Sequence, residues 1–309
     1  PEGGLRRATA ARLRDPTTVR ALCDRQFGVG GDGVLALRPP RTAGAIAEMR
    51  VLNADGSEAE MCGNGIRCVA KFLRDRDPAL GDRLVIDTGA GPLACGVALA
   101  ADGTVAAVTV AMGRPRLTRG EVPATGPADE RWIDGAIAIP GDPAGERRLT
   151  AVSMGNPHAV VFVDDAATVH ALARQVGPAL ETHAAFPKKT NAEFAAMTGP
   201  ATIALGVWER GCGITLACGT GACATAVAAC LTGRATAGAP ITVHLPGGPL
   251  VITVAADYGD VAMQGPAALA FVGEVDLTDR ARALGIETLT GRTVTGVSEG
   301  PLKHIDLEG

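Results

Sequence analysis

The chain has 309 residues and 47% hydrophobic content, enough to bury one large core or two ordinary ones. Its formal net charge of -4 and pI near 5.8 exclude the basic surface that nucleic acids and anionic membranes select, so we expect neither as a partner. No apolar run reaches about 18 residues and no secretory signal is recognisable. We therefore expect a cytoplasmic protein.

The first part of the sequence predicts a polar segment over residues 1–14, one short helix and several strands. Asp15 and Pro16 are the N-cap and first-turn residues of that helix. The glycines of 28–33 predict a turn entering a strand. They do not form a phosphate loop, because no helix and no Gly-Lys-Ser follows them. Further strands are predicted at 47–52, 84–87, 93–100 and 105–112, with a hairpin at Asp102-Gly103.

The second part of the sequence continues with short strands and one helix. Residues 114–148 are rich in proline, glycine and charge, and they predict the crossover between two halves of the chain. A helix is predicted at 165–176. Strands are predicted at 150–153, 159–163, 193–198, 202–208, 241–243, 250–255, 261–264 and 268–272.

One glycine-rich motif, Cys-Gly-x-Gly, occurs twice, at 62–65 and at 218–221. Each copy precedes a run of small and apolar residues that predicts a helix. A polar side chain also lies at the same offset, because Asn53 is nine residues before Cys62 and Glu209 is nine residues before Cys218. We interpret the pair as an internal duplication.

The motif has a specific physical meaning at the start of a helix. The first backbone amides of a helix lack intrahelical partners and carry partial positive charge, so a carboxylate can bind there. The same charge is expected to lower the pKa of a cysteine at that end towards the range needed for proton transfer. Two such turns facing one another would hold one carboxylate and place a sulfur on each side of the adjacent carbon.

The cysteines otherwise indicate no metal site. None forms a Cys-x-x-Cys pair and no histidine follows at zinc-finger spacing. Apart from Cys62 and Cys218, we expect them to be small buried residues. These six are Cys23, Cys68, Cys95, Cys212, Cys223 and Cys230.

The predicted elements indicate an α+β fold of two pseudo-symmetric domains, each a barrel-like, mostly antiparallel sheet around a central helix. The helix after Cys218 is apolar all round and is therefore expected inside its sheet. We predict one domain over 1–115, completed by a strand from 265–277, and a second over 116–264. The tail at 278–309 gives no indication of function.

Four motifs in order resemble those of the diaminopimelate epimerase family, from about residue 19 to residue 277. They are Asn53-Ala-Asp-Gly-Ser57, Met61-Cys-Gly-Asn-Gly65, Gly155-Asn-Pro-His158, and Trp208-Glu-Arg-Gly211 with Ala217-Cys-Gly-Thr-Gly-Ala-Cys223. The resemblance implies epimerisation of LL- to meso-diaminopimelate, for lysine and peptidoglycan precursors. It implies a homodimer that needs neither pyridoxal phosphate nor metal. Residues 1–27 contain no counterpart of the family's methionine-led first strand.

The resemblance also implies roles for individual residues. Cys62 and Cys218 would be the catalytic acid and base. The amides of Gly63, Asn64, Gly219 and Thr220 would hold the reacting carboxylate. Glu209 would bind the reacting ammonium and, with His158, adjust the thiol pKa values. The amino-acid group at the far end of the substrate would be bound by Asn53, Asn156, Asn191 and Arg210.

Each role has an alternative. His158 after Asn-Pro also fits a turn or core histidine, and the asparagines fit turns that need no ligand. Arg210 beside Glu209 also fits a surface ion pair. For the whole chain, the alternatives are a proline or hydroxyproline racemase, a thiol redox protein that uses Cys62 and Cys218, and an amino-acid-binding relative without the chemistry.

Overall fold

The computed structural model describes residues 15–274, 293–298, 303–304 and 306–308, and the side chains of residues 15–270. The polar segment predicted over 1–14 lies outside these residues, as does most of the tail at 278–309. The chain divides into two compact units. The N-terminal unit contains the described residues up to Val110 and those from Pro266 onward, and the C-terminal unit is Ala111–Gly265.

The N-terminal unit places one long helix on a mixed sheet. The long helix is α2 (Gly63–Arg76), and α1 (Pro16–Cys23) begins at Asp15, whose side chain accepts the Thr17 amide. The strands are β1 (Gly33–Arg38), β2 (Ala47–Asn53), β3 (Glu58–Ala59), β4 (Arg83–Thr88), β5 (Gly91–Leu99), β6 (Val105–Ala111), β16 (Leu269–Glu274), β17 (Thr293–Ser298), β18 (Lys303–His304) and β19 (Asp306–Glu308).

The strands of the N-terminal unit pair in the order β18-β1-β2-β4-β5-β6, with β3 beside β2. The pairs β1–β18 and β2–β4 are parallel, while β16, β17 and β19 form a separate antiparallel sheet. Helix α2 contacts β2, β4 and β5. It buries Ile66, Val69 and Ala70 completely, so its first two turns form part of the core.

The C-terminal unit has two long helices, α3 (Val169–Glu181) and α4 (Gly219–Leu231). Its strands are β7 (Gly135–Ala138), β8 (Glu146–Ser153), β9 (Pro157–Phe162), β10 (Asn191–Gly199), β11 (Thr202–Glu209), β12 (Gly213–Ile214), β13 (Pro240–Leu245), β14 (Gly248–Val254) and β15 (Val261–Pro266). They pair in the order β15-β14-β13-β11-β10-β9-β8-β7, with β12 beside β11. The pairs β9–β10 and β11–β13 are parallel.

The two helices of this unit pack on opposite faces of the sheet. Alternate residues of β10, namely Ala192, Phe194 and Ala196, join a core cluster with Val176 and Leu180 of α3. Because side chains alternate along a strand, Glu193 points to the other face, where α4 lies. Helix α4 is buried along nearly its whole length, as its lack of charge predicts.

The predicted α+β class is confirmed, and one prediction about a helix is wrong. Residues 114–148, predicted to carry the crossover between the halves, also contain β7 and the start of β8. The helix predicted at 165–176 is a 3-10 turn at Ala166–Thr168 followed by α3, which continues through Pro178 to Glu181. Within the described part of the chain, no helix combines the length and apolarity needed to span a membrane.

Candidate active site

The two Cys-Gly-x-Gly motifs adopt the same conformation at the starts of α2 and α4. Cys62 and Cys218 are the N-cap residues, with φ/ψ of -137°/115° and -124°/106°. In each motif the amide of the second glycine, Gly65 or Gly221, donates to the cysteine Sγ at 3.4 Å. The amides of the first turn, including those of Gly63, Asn64, Gly219 and Thr220, lack intrahelical partners and suit an anion.

Neither thiol has the lowered pKa that the helix end alone predicts. Burial raises the pKa of Cys62 to about 11, although the Gly65 and Asn64 amides and the charge of Arg67 act in the opposite direction. Burial, followed by the charges of Glu209 and Glu193, raises the pKa of Cys218 well above its ordinary value. The sequence prediction was wrong because the cost of removing a thiolate from water exceeds the helix-end effect. Both residues are therefore thiols at neutral pH.

Around Cys62, backbone contacts hold the start of α2 in place. Arg67 is buried, and its Nη1 donates to the Gly63 carbonyl at 3.1 Å. A Cβ at Gly65 would lie 2.8 Å from Leu35 Cδ2, so this glycine allows close packing on β1. Asn64 is only 7% exposed, and its Oδ1 has no hydrogen-bond donor among the described residues. That oxygen is therefore a buried acceptor whose hydrogen-bonding capacity is unused in this part of the chain.

Asn53 lies at the end of β2 in the same unit. Its side-chain Nδ2 donates to the hydroxyl of Ser57 at 3.0 Å. Its backbone N–H donates to the Ser57 carbonyl at 2.8 Å and closes the turn. The side chain is partly exposed. Asn53 thus combines the turn role of the alternative interpretation with a side chain that a ligand can reach.

Around Cys218, two carboxyl groups lie close to the thiol. Burial is the main cause that raises the pKa of Glu209, while hydrogen bonds with Thr215 and Cys218 lower it. Burial also raises the pKa of Glu193, and the charge of His158 lowers it. A Cβ at Gly221 would lie 3.0 Å from Glu193 Oε1 and 3.2 Å from Cys218 Sγ. Thr220 Oγ1 is 3.6 Å from the same sulfur.

His158 lies on β9 and has no exposed surface. Its Nδ1 is 2.6 Å from Glu193 Oε1 and its Nε2 is 2.9 Å from Asn156 Oδ1. An amide oxygen only accepts hydrogen bonds, so Nε2 donates to Asn156 and Nδ1 faces the carboxyl group of Glu193. His158 is therefore a buried histidine that contacts Glu193, one of the two carboxyl groups near Cys218. The other Glu193 oxygen, Oε2, has no donor among the described residues.

Asn191 and Arg210 are joined directly. Asn191 Oδ1 accepts the Arg210 amide at 2.8 Å, and Asn191 Nδ2 donates to the Pro157 carbonyl at 2.8 Å. The Arg210 guanidinium donates through Nη1 to the Lys188 carbonyl at 3.1 Å. Asn191 is 3% exposed and ties the Arg210 turn to the start of β9.

Several residues of this site were missed by the sequence analysis. Glu193 is an acid inside an otherwise apolar strand, which is a recognisable signal for a buried polar group. Glu181, at the end of α3 and bonded to the Trp208 indole, was missed because the predicted helix ended at residue 176. Thr215 gives no local signal. Cys212, predicted to be buried, is exposed because it follows Gly211 in a surface turn. Among the described residues, no three His, Cys, Asp or Glu side chains gather where they could hold a metal ion.

Comparison with known proteins identifies the family of the chain. A family model described as diaminopimelate epimerase matches residues 8–118 and 150–270. The diaminopimelate epimerase of Desulfitobacterium hafniense (strain DSM 10664 / DCB-2) is 46% identical over 273 residues, covering 85% of this chain and 89% of that protein. The diaminopimelate epimerase of Desulforudis audaxviator (strain MP104C) is 49% identical over 260 residues, covering 82% of this chain and 87% of that protein. The chain belongs to the diaminopimelate epimerase family.

Solved structures of lower identity share the fold of this diaminopimelate epimerase family member. A hydroxyproline epimerase from Agrobacterium vitis with bound trans-4-hydroxy-L-proline has a TM-score of 0.58 at 17% identity, covering 80% of this chain and 75% of that chain. A probable proline racemase from Agrobacterium radiobacter K84 has a TM-score of 0.61 at 17% identity, covering 88% and 84%. Both segments of the diaminopimelate epimerase match carry one Cys-Gly-x-Gly motif.

Proposed function

We propose that this protein epimerises LL-2,6-diaminopimelate to meso-2,6-diaminopimelate, with Cys62 and Cys218 as the acid and base on opposite faces of the reacting α-carbon. The observation that carries the proposal is the matched pair of cysteine N-caps, with the same backbone angles and the same amide-to-sulfur bond. One thiolate removes the α-proton and the other thiol returns a proton from the opposite face. The configuration of that carbon is thereby inverted.

The surroundings of the thiols support the remaining roles. An α-proton beside a carboxylate is a very weak acid, so the larger stabilisation has to come from groups that bind the charge developing on the carboxylate. The first-turn amides of α2 and α4, from Gly63, Asn64, Gly219 and Thr220, are suited to that charge. Glu209, half-buried and bonded to Thr215, would receive the α-ammonium.

The amino-acid group at the non-reacting end of the substrate needs a second set of binding residues. We assign its binding to the charged side chain of Arg210 and to the polar side chains of Asn53, Asn156 and Asn191. A guanidinium matches a carboxylate with two parallel hydrogen bonds. His158 would adjust the thiol pKa through Glu193 and Glu209. We further propose that the protein acts as a homodimer in the cytoplasm, without cofactor or metal, and supplies precursors for lysine and peptidoglycan.

The test follows deuterium and configuration together. The reduced protein is incubated with LL-diaminopimelate in D2O, and the stereoisomers are separated while α-deuteration is measured by NMR. Wild type is expected to form the meso isomer with deuterium at the inverted carbon. Cys62→Ser and Cys218→Ser are each expected to lose at least about 100-fold in rate, the lower end of a general-base contribution.

A matched control is Cys212→Ser, because Cys212 is an exposed cysteine three residues after Glu209. It is expected to keep wild-type activity. Full activity in either of the other two serine variants would contradict the two-thiol mechanism. Activity on proline in place of diaminopimelate would contradict the substrate, and sedimentation as a monomer would contradict the dimer.

A further inference from the structure

The end of α3 packs against the end of β11, the strand that finishes at Glu209, just before Arg210. Gly177 and Glu181 are four residues apart on α3 and therefore lie on one face of it. A Cβ at Gly177 would lie 2.5 Å from Trp208 Cβ, so only glycine lets Trp208 pack there. One turn later, Glu181 Oε2 accepts the indole N–H of Trp208 at 2.7 Å.

The second oxygen of the same carboxylate holds the turn that follows. The amide of Cys212 donates to the Glu209 carbonyl at 3.1 Å, which closes a four-residue turn. Gly211, its third residue, has a φ of 79°, typical of a type II turn. In that turn the central peptide is flipped relative to type I. Its N–H, from Gly211, donates to Glu181 Oε1 at 3.1 Å, so Glu181 fixes the flip.

Two neighbouring amides are thus held by two different side chains. The Arg210 amide donates to Asn191 and the Gly211 amide donates to Glu181. Both of these side chains are buried. The backbone on each side of the Arg210 Cα is therefore held in place without a ligand. The direction in which the Arg210 side chain starts from the backbone is fixed as well.

Glu181 is suited to this task because it is ionised. Burial raises the pKa of its carboxyl group, but hydrogen bonds from Trp208 and Gly211 and the charge of Lys189 together lower it. A carboxylate accepts hydrogen bonds on both oxygens. A glutamine in its place would offer one acceptor and one donor, and the donor would face an N–H.

We propose that Glu181 is a positioning residue for the reaction: its carboxylate bridges the Trp208 indole and the Gly211 amide, and so presents the Arg210 guanidinium to the distal carboxylate of the substrate. The inference rests on the role proposed above for Arg210. Glu181 itself touches no reacting atom, so its effect is expected on substrate affinity more than on turnover.

The test measures KM and kcat for diaminopimelate in Glu181→Gln. KM is expected to rise about tenfold, the effect of losing one charge-assisted hydrogen bond, with kcat changed less than about threefold. The control is Glu146→Gln, the same change at an exposed glutamate at the start of β8. Its KM is expected to equal that of wild type.

A double-mutant cycle separates positioning from general stability. If Glu181 acts through Arg210, Glu181→Gln changes KM in the wild-type background and not in an Arg210→Met background. An equal rise in both backgrounds would overturn the inference. Should Glu181→Gln not fold, Glu181→Asp carries the same test, because its carboxylate is one methylene too short to bridge both donors.

The outcome also distinguishes the inference from the function it rests on. A wild-type protein that does not epimerise diaminopimelate overturns the proposed function. A wild-type protein that does, with an unchanged KM in Glu181→Gln, overturns the positioning role alone. Slowed hydrogen exchange of the Gly211 amide in wild type, lost in Glu181→Gln, supports the bridge independently of activity.

Discussion

His158 Nδ1 lies 2.6 Å from Glu193 Oε1, and neither side chain is exposed to solvent. Glu193 in turn lies on the face of β10 that meets the start of α4, close to where a Cβ on Gly221 would be. Glu209 and Glu193 both act electrostatically on the thiol of Cys218, and His158 acts on both of these carboxyl groups. Changing one of these groups is expected to change the ionisation of the thiol.

Glu193→Gln removes a charge from beside Cys218 while keeping the size of the side chain. Because the charge of Glu193 is one cause of the raised pKa of Cys218, the pKa is expected to fall in the variant. The rate at which a small alkylating reagent modifies Cys218, followed by mass spectrometry, should therefore begin to rise at lower pH. Glu146→Gln, at an exposed position, is the control. An identical alkylation profile in Glu193→Gln and wild type would show that the charge does not reach the thiol.

The pH dependence of the wild-type enzyme follows from the raised thiol pKa values. With a pKa of about 11, Cys62 is ionised in only roughly one molecule in ten thousand at pH 7. The proposed mechanism needs one thiolate, so kcat/KM is expected to increase from pH 7 to pH 9, by about tenfold per unit at its steepest. Steady-state kinetics over that range, with circular dichroism to confirm folding, checks this. A profile that falls over the same range would mean that a protonated group limits the rate.

Thr215→Val removes a hydrogen bond from Glu209 with almost no change in shape. That bond lowers the pKa of Glu209, so its loss is expected to raise the pKa further and leave more of the carboxyl group protonated at pH 7. A protonated Glu209 binds an ammonium poorly, and kcat/KM at pH 7 should fall about tenfold, as for the loss of one charge-assisted bond. The deficit should shrink as the pH rises.

Thr215→Ser keeps the hydroxyl and is expected to keep the wild-type pH profile. If the serine variant is impaired and the valine variant is not, the methyl group of Thr215 matters and its hydroxyl does not.

The second glycines of the two motifs should respond differently to alanine. In Gly65→Ala the added Cβ would lie 2.8 Å from the end of the Leu35 side chain, which can shift at a cost of about 1–3 kcal/mol in the free energy of unfolding. In Gly221→Ala it would press on Glu193 and on the sulfur of Cys218. We therefore expect Gly221→Ala to lose at least about tenfold in kcat, and Gly65→Ala to lose mainly thermal stability. Melting curves beside kcat values decide between these outcomes, and the reverse ranking would contradict the assignment.

Local sequence signals predicted the parts of the fold that local physics controls. Cys-Gly-x-Gly before an apolar run predicted both buried helices and their N-caps, because capping and burial are encoded within a few residues. The helix end at 176 was wrong because proline within the last turns costs less when the helix packs on a sheet, as α3 does. The strand β7 has four residues, too few for a periodic signal.

The pKa values of the two thiols depend on groups that are distant in sequence, so they could not be predicted from the motif and its immediate neighbours. The motif alone indicated thiols of lowered pKa, while burial together with Glu193 and Glu209 reverses the sign at Cys218. Glu193 comes next to the thiol only because β10 pairs with β9 and faces α4. The bridge formed by Glu181 likewise joins residues of α3 to a turn after β11.

Cys62 and Cys218 have the same N-cap backbone geometry, yet the charged side chains that act on the two thiols are opposite in sign. Cys62 is near the cation of Arg67, whereas Cys218 is near two acids. The two thiols are therefore unequal as proton donors, and one serves the forward direction of the proposed reaction while the other serves the reverse. Deuterium should therefore wash into the two diaminopimelate stereoisomers at different initial rates, and a racemic electrophilic analogue should modify Cys62 before Cys218.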